Sequence, residues 1–207
     1  MEIIKKNKVY NKKFYNILNL ILYLCENNQY IKLKKILENQ NNINIDEILL
    51  FLYKTINNNN NNIFNILLKY IINSENLDIN EIINKQDNNG ETILYKAVYN
   101  GNLHITKKLL KYYSFNINLQ TYNKGYTVLF PAIYFRYNDI LTLLLDNKEI
   151  NINIMDKNHN TPLTLACLIN NKEAIKQLIR KNGKKNNNLI FNYTYYKELL
   201  KYKLYYI

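Results

Sequence analysis

The chain of 207 residues is 47% hydrophobic and 21% charged, which is typical of a packed soluble protein and excludes an entirely disordered chain. Its 28 Lys and Arg residues exceed its 16 Asp and Glu residues and give a formal net charge of +12, so nucleic acid and anionic membrane surfaces become candidate partners. Asparagine makes up about a fifth of the chain, far above typical usage, so single Asn and Lys residues are weak evidence of function.

The N-terminal residues 1–13 are basic and lack clear periodicity, and we interpret them as a leader ahead of the first helix. A basic stretch before the apolar run 17–25 is also typical of a signal peptide, but Asn19 interrupts the run and no small-residue cleavage site follows it. Cys25 and Cys167 lie far apart in apolar helical runs, which favours buried free thiols in a reducing compartment. We therefore expect an intracellular, cytoplasmic protein, with a nuclear location left open.

Two helical pairs are predicted ahead of residue 87, because apolar residues recur at i, i+3 and i+4 along four segments. The asparagines at 27–28 separate the first two helices. The run of six asparagines at 57–62 separates the next two, and we interpret it as a long surface loop. A short extra helical turn is expected within the connector 73–85. The predicted apolar faces comprise Phe14, Ile17, Leu18, Ile21, Leu22, Cys25, Ile31, Leu33, Ile36, Leu37, Ile48, Leu49, Leu52, Ile56, Ile66, Leu67 and Tyr70.

A third unit begins with a turn and continues into two helices. Asn89 and Gly90 favour a tight turn, because both residue types tolerate positive φ. Thr92 can cap the first helix of this unit, and Gly101 can end that helix. Leu94 and the apolar residues that follow it then lie on one helical face.

The same arrangement recurs twice more, at spacings of 35 and then 34 residues. Thr127 and Thr161 stand where the third unit has its helix cap. In the fifth unit Pro162 fits the first helical position, where no N–H is needed, and Gly183 can end the second helix in the left-handed conformation. A period in the mid-thirties built from a turn and two helices is typical of a solenoid whose units stack their apolar faces.

Residues 161–166 read TPLTLA, and with the preceding Asp156 they resemble the ankyrin repeat, whose first helix normally begins T-P-L-H-x-A. The resemblance is specific over residues 87–183 and weak before them. It implies an all-α, ankyrin-like solenoid of about five helix-turn-helix repeats, with a Tyr- and Lys-rich capping helix at residues 184–207. The repeat array would cover residues 14–183, divided into 14–45, 46–86, 87–121, 122–155 and 156–183.

The sequence departs from the family pattern at several positions. Tyr95, Phe130 and Thr164 replace the family's histidine, so the hydrogen bond of that histidine to the neighbouring turn must be replaced or lost. Pro131 falls inside the predicted first helix of the fourth unit and can shift or kink its start. His159 occupies the place of the turn glycine. Each departure predicts reduced local stability rather than a different fold.

The resemblance implies a non-catalytic protein–protein interaction module that binds a partner protein through the concave face of the repeat stack. The partner is unidentified, and a monomer is expected. In the family, that face is built from the turn tips and the exposed residues of the first helices. The matching positions are Asn88, Asn89, Glu91, Tyr99, Asn100, Asn123, Lys124, Tyr126, Tyr134, Phe135, Lys157, Asn158, Asn160, Leu168 and Ile169. Any single one of these residues could equally be an ordinary solvent-facing or inter-repeat residue.

No catalytic, metal or cofactor site is predicted. His104 and His159 lie in different units, and neither has a cysteine or acidic partner at catalytic or metal-ligand spacing. The four glycines of the chain form no phosphate-binding loop. The alternative function is electrostatic. The basic termini, with tyrosines interleaved among lysines in residues 184–207, could bind nucleic acid or an anionic membrane surface.

Overall fold

The computed structural model describes residues 19–27, 29–38, 43–74, 77–112 and 115–183. These residues form eleven helices and no strand, which confirms the all-α prediction. The predicted leader at 1–13, the predicted capping helix at 184–207 and the apolar residues Phe14, Ile17 and Leu18 lie outside the described residues. No helix in the described ranges is both long enough and apolar enough to cross a membrane.

The helices are distributed over two compact units. The first unit comprises Met1–Lys85 and Lys108–Phe115, and the second comprises Gln86–Lys107 and Asn116–Ile207. In the first unit α1 covers residues 19–26, followed by α2 (Tyr30–Leu37), α3 (Ile45–Asn57), α4 (Asn61–Asn73) and α5 (Ile79–Asn84). The second unit contains α6 (Ile93–Tyr99), the start of α7 (Leu103–Tyr112), α8 (Leu129–Tyr134), α9 (Asn138–Asp146), α10 (Pro162–Leu168) and α11 (Lys172–Gly183).

The core of the first unit is centred on α3 and α4, which pack against each other. The predicted core face of α3 is confirmed, and burying each large apolar side chain on it contributes about 1.5–3 kcal/mol. The prediction for Ile31 is wrong: its side chain is 60% exposed, because Leu33 and Leu37 carry the buried face of α2. The extra turn expected between the second and third pairs is α5. The buried residues of α3 are Ile48, Leu49, Phe51, Leu52, Thr55 and Ile56.

The six-asparagine run is not a long loop, so that interpretation is wrong. Asn57 ends α3 and Asn61 begins α4, which leaves a connection of three residues. Asn59 adopts a φ of 53°, and the side chain of Asn60 accepts a hydrogen bond from the N–H of Ile63 at the start of α4. Asparagine tolerates the left-handed region and caps helices well, so the run serves as a helix stop and a helix start.

The same connection recurs in the third, fourth and fifth repeats. There it lies between the first helix (α6, α8 or α10) and the second helix (α7, α9 or α11). The residue in the left-handed region is Gly101 (φ 67°), Arg136 (φ 59°) or Asn170 (φ 52°). The following N–H donates back to the carbonyl five residues earlier, at 2.8–2.9 Å in all three places. Five-residue return bonds of this kind satisfy carbonyls that a helix end would otherwise leave unpaired. The prediction that Gly101 ends a helix is confirmed, whereas Gly183 is the last residue of α11.

Of the three predicted helix caps, Thr92 and Thr161 are confirmed and Thr127 is wrong. The hydroxyls of Thr92 and Thr161 each accept from an N–H three residues on, at 3.1 Å. Thr127 makes no such bond, and α8 begins only at Leu129. The cause is Pro131, which has no N–H to donate to the Thr127 carbonyl; the N–H of Phe130 donates there instead, at 3.1 Å. The Thr127 hydroxyl is left buried with no hydrogen-bond partner among the described residues.

Candidate functional site

In the third and fifth repeats the turn before the first helix is held by a buried or half-buried acidic residue, whereas in the fourth the hydroxyl of Thr121 accepts from the N–H of Tyr126. In the third unit Oδ1 of Asp87 accepts from the N–H groups of Asn89 and Glu91, both at 2.9 Å. In the fifth, Oδ1 of Asp156 accepts from the N–H groups of Asn158 and Asn160. The turn residue with positive φ is Gly90 (76°) in one and His159 (60°) in the other, so His159 does stand at the turn-glycine place. Each turn thereby projects a two-residue tip.

Neighbouring turns are joined to one another by backbone and glutamine hydrogen bonds. The N–H of Tyr122 donates to the carbonyl of Asn89, and that of Lys157 donates to the carbonyl of Lys124. Nε2 of Gln120 donates to the carbonyl of Gly125 in its own turn and to that of Met155 in the next. Gln86 makes the equivalent pair of bonds. These bonds connect neighbouring turns, and neither glutamine is among the residues predicted from the sequence.

Glu91, predicted to lie on the binding face, belongs to an ion-pair network. Nζ of Lys96 pairs with Oδ2 of Asp87 at 2.9 Å and also with the carboxylate of Glu91. Burial by itself would lower the pKa of Lys96, but its hydrogen bonds to Glu91 and Asp87 outweigh that effect and raise it. Burial would raise the pKa of Asp87, and the N–H groups together with Lys96 lower it instead. Glu91 is therefore only partly exposed, and its carboxylate is engaged by Lys96 within the same repeat.

The opposite ends of the first helices carry an aromatic cluster, defined here as Tyr99, Tyr134, Phe135 and Tyr137, of which the first three are exposed. The ring of Phe135 contacts Tyr99 at a centroid distance of 5.2 Å, Tyr134 at 5.1 Å and Tyr137 at 5.6 Å. Tyr99 is 50% exposed and Tyr134 is 60% exposed. Leu168, at the corresponding end of α10, is 57% exposed. The cluster thus joins two consecutive units and leaves large apolar side chains accessible.

Arg136, which the sequence did not single out, and Asn171 hold this end of the repeat in place. Arg136 donates from its guanidinium to the carbonyls of Ile169 and Asn170, where α10 ends. A cation at a helix C-terminus is favourable because the free carbonyls carry partial negative charge. Asn171 is buried; its side chain donates to the carbonyl of Ile133 and accepts from the N–H of Ala174. The partners of Arg136 and the Ile133 partner of Asn171 lie about one repeat away, so no local pattern marks those bonds, whereas the bond from Ala174 is a local helix cap.

The predicted binding residues fall into two groups at the two ends of the first helices. One group lies at the tips, and the other lies at the C-terminal ends. A helix of seven residues separates them, which is about 10 Å along the axis. Tyr126 and Asn160 are only half-exposed, and Tyr126 stacks on Phe130 at 4.8 Å. The tip group is Asn88, Asn89, Asn123, Lys124, Lys157 and Asn158, and the helix-end group is Tyr99, Asn100, Tyr134, Phe135, Leu168 and Ile169.

The cysteines lie where packing rather than reactivity is expected. Cys25 is buried, and burial followed by the nearby charge of Glu26 raises the pKa of its thiol to about 12. Cys167, on α10, is only partly buried, so the prediction of a buried thiol is confirmed for Cys25 and wrong for Cys167; partial burial still raises the pKa of the Cys167 thiol. Since the thiolate is the reactive form, both side chains stay protonated and weakly nucleophilic near neutral pH.

Comparison with protein families adds independent evidence about the repeats. A family model described as "Ankyrin repeats (3 copies)" matches residues 52–156. A second, described as "Ankyrin repeat", matches residues 158–188. The first match begins within α3, so it includes α4 and α5, where the Thr-Pro-Leu signature is absent. Among curated protein sequences, none matches the chain significantly.

Proposed function

The chain belongs to the ankyrin repeat family and has its all-α solenoid fold, and on that premise we propose that it is a non-catalytic module that binds a partner protein. Ankyrin repeats generally act as protein–protein interaction modules. The proposed binding face is the concave face of the family, formed here by the tip group and the helix-end group. For the array we propose the five divisions that the sequence indicates, and we propose a cytoplasmic monomer.

The aromatic cluster is the observation that carries this proposal. Tyr and Phe side chains supply large contact area at low conformational cost, and they are enriched among the residues that dominate binding energy. Tyr99 and Tyr134 are half or more exposed although both are large and apolar in part. The ring contacts to Phe135 fix their positions, so less entropy is lost when a partner binds. The alternative, electrostatic binding through the termini, depends on residues outside the described ranges.

A pull-down from the source cell tests the proposed function. The bait is the full chain, compared with the double variant Tyr99→Ala/Tyr134→Ala. The control bait is Tyr23→Ala/Tyr30→Ala, which removes two exposed tyrosines from the other unit. The proposal expects a protein that the wild type and the control retain and the Tyr99/Tyr134 variant loses. Equal retention by all three baits would remove the aromatic cluster from the binding site.

A further inference from the structure

Two cations lie side by side at the tips of the fourth and fifth units. Lys124 and Lys157 are both exposed, and the N–H of Lys157 donates to the carbonyl of Lys124 at 2.9 Å. Neither lysine forms an ion pair with an acidic side chain in the described part of the chain. The neighbouring Asp156 is buried, and its carboxylate accepts from two backbone N–H groups. The two ammonium groups therefore face solvent without a counter-charge from a nearby side chain.

The third unit differs from the fourth and fifth in this respect. Its lysine on the first helix, Lys96, is held by Asp87 and Glu91 and is largely covered. The uncompensated positive charge at the tips is thus confined to Lys124 and Lys157. At the C-terminal ends of the first helices, each about 10 Å long, the aromatic cluster and Leu168 present apolar surface. The tips thus carry two unpaired lysines, while the helix ends carry apolar rings beside Arg136, whose guanidinium is bonded to the carbonyls of Ile169 and Asn170.

We infer that this face accepts an acidic segment of a partner protein whose carboxylates meet Lys124 and Lys157 and whose large apolar side chains lie on the aromatic cluster. The inference rests on the proposed function and names the chemistry of the partner. The helix between the two ends is about 10 Å long, which corresponds to about three residues of extended chain. The segment would therefore carry its acidic residues about three to five positions from its apolar ones.

An acidic segment fits this face better than a nucleic acid does. Base stacking needs aromatic rings with free faces; Phe135 is packed against Tyr99, Tyr134 and Tyr137, but Tyr99 and Tyr134 are half or more exposed, so the charge at the tips decides between the two partners. Stable nucleic-acid binding also needs several phosphate contacts, commonly about 6–10 for a specific DNA site. Two lysines at the tips are too few for that requirement, and they suit one or two carboxylates.

Selection from a random peptide library tests the inference with defined probes. Peptides of about 12 residues, which reach about 40 Å when extended, are displayed on phage and selected on the full chain at physiological salt. The inference expects enrichment of acidic residues together with aromatic or aliphatic residues at the stated separation. Enriched peptides without acidic residues would overturn it while leaving the proposed function intact. Failure to enrich any peptide would contradict both the inference and short-segment binding by the proposed face.

Charge reversal identifies the residues responsible. The selected acidic peptide is synthesised and titrated against wild type, Lys124→Glu/Lys157→Glu and the matched control Lys107→Glu/Lys176→Glu. The control changes the net charge equally at two exposed lysines on the second helices α7 and α11. We expect at least tenfold weaker binding for the tip variant and less than twofold change for the control. Equal weakening of both variants would indicate a general charge effect and overturn the inference, as would tighter binding of a single-stranded oligonucleotide than of the peptide.

Discussion

At the scale of single residues, Thr127 shows how one proline alters a repeated cap. Thr92, Thr127 and Thr161 occupy the same position in three units, yet only Thr92 and Thr161 accept from the helix they precede. Pro131 removes one N–H, the carbonyl of Thr127 takes its hydrogen bond from Phe130, and the hydroxyl is left without a bond in the described structure. A buried hydroxyl without a partner costs about 1–3 kcal/mol.

Replacing the two threonines by valine should therefore have opposite effects. Thr127→Val removes a hydroxyl without a partner and keeps the shape of the side chain, so we expect the unfolding temperature to stay the same or rise. Thr92→Val removes a helix cap, and we expect a loss of about 0.5–2 kcal/mol. Thermal unfolding followed by circular dichroism measures both variants. Equal destabilisation by the two substitutions would contradict the hydrogen-bond assignment.

Asp87 should make the unfolding free energy of the compact unit that begins at Gln86 depend on pH. Its folded pKa is lowered, chiefly because backbone N–H groups and Lys96 outweigh its burial, so its contribution is present above its unfolded pKa, near 3.8. That contribution is lost as pH falls through the folded pKa. Asp87→Asn keeps an oxygen acceptor for the turn and removes the ion pair. We expect wild type to exceed the variant in unfolding temperature above about pH 4, and the difference to shrink below it. A difference independent of pH would refute this role.

At the scale of elements, the connection between paired helices uses one geometry with several residue types. Asn59, Gly101, Arg136 and Asn170 all occupy the left-handed region between a first and a second helix. The sequence marks only Gly101 for this role. Asparagine is common in loops, in helix caps and in left-handed turns. Which of these it forms depends on hydrogen bonds that are made only when two helices pack. The composition of the run 57–62 therefore predicts a loop, whereas the run folds as a tight turn between α3 and α4.

Substitutions in that run distinguish a tight turn from a long loop. Asn60→Ala removes the side-chain oxygen that accepts from Ile63 at the start of α4, and we expect a loss of about 1 kcal/mol in unfolding free energy. Asn58→Ala, two residues earlier on the exposed turn, serves as the control and should change stability by less than about 0.5 kcal/mol. Urea unfolding measures both. Two neutral substitutions would support a long loop and contradict the cap.

At the scale of the whole molecule, the period of the sequence predicts the fold better than it predicts the surface. The spacing of Thr92, Thr127 and Thr161 is enough to place the three units whose helices are α6 to α11. The turn bonds of Gln86 and Gln120 and the cap that Arg136 provides join residues about one repeat apart, so no local pattern reveals them.

The central claim is that the aromatic cluster contacts a partner protein, and site-specific photo-crosslinking in the source cell tests it most directly. A benzophenone amino acid replaces Tyr134 in one sample and Tyr23, which is similarly exposed in the other unit, in a second. We predict a discrete adduct with another protein from position 134 and little or none from position 23. No protein adduct from position 134, or equal adducts from both positions, would contradict the claim.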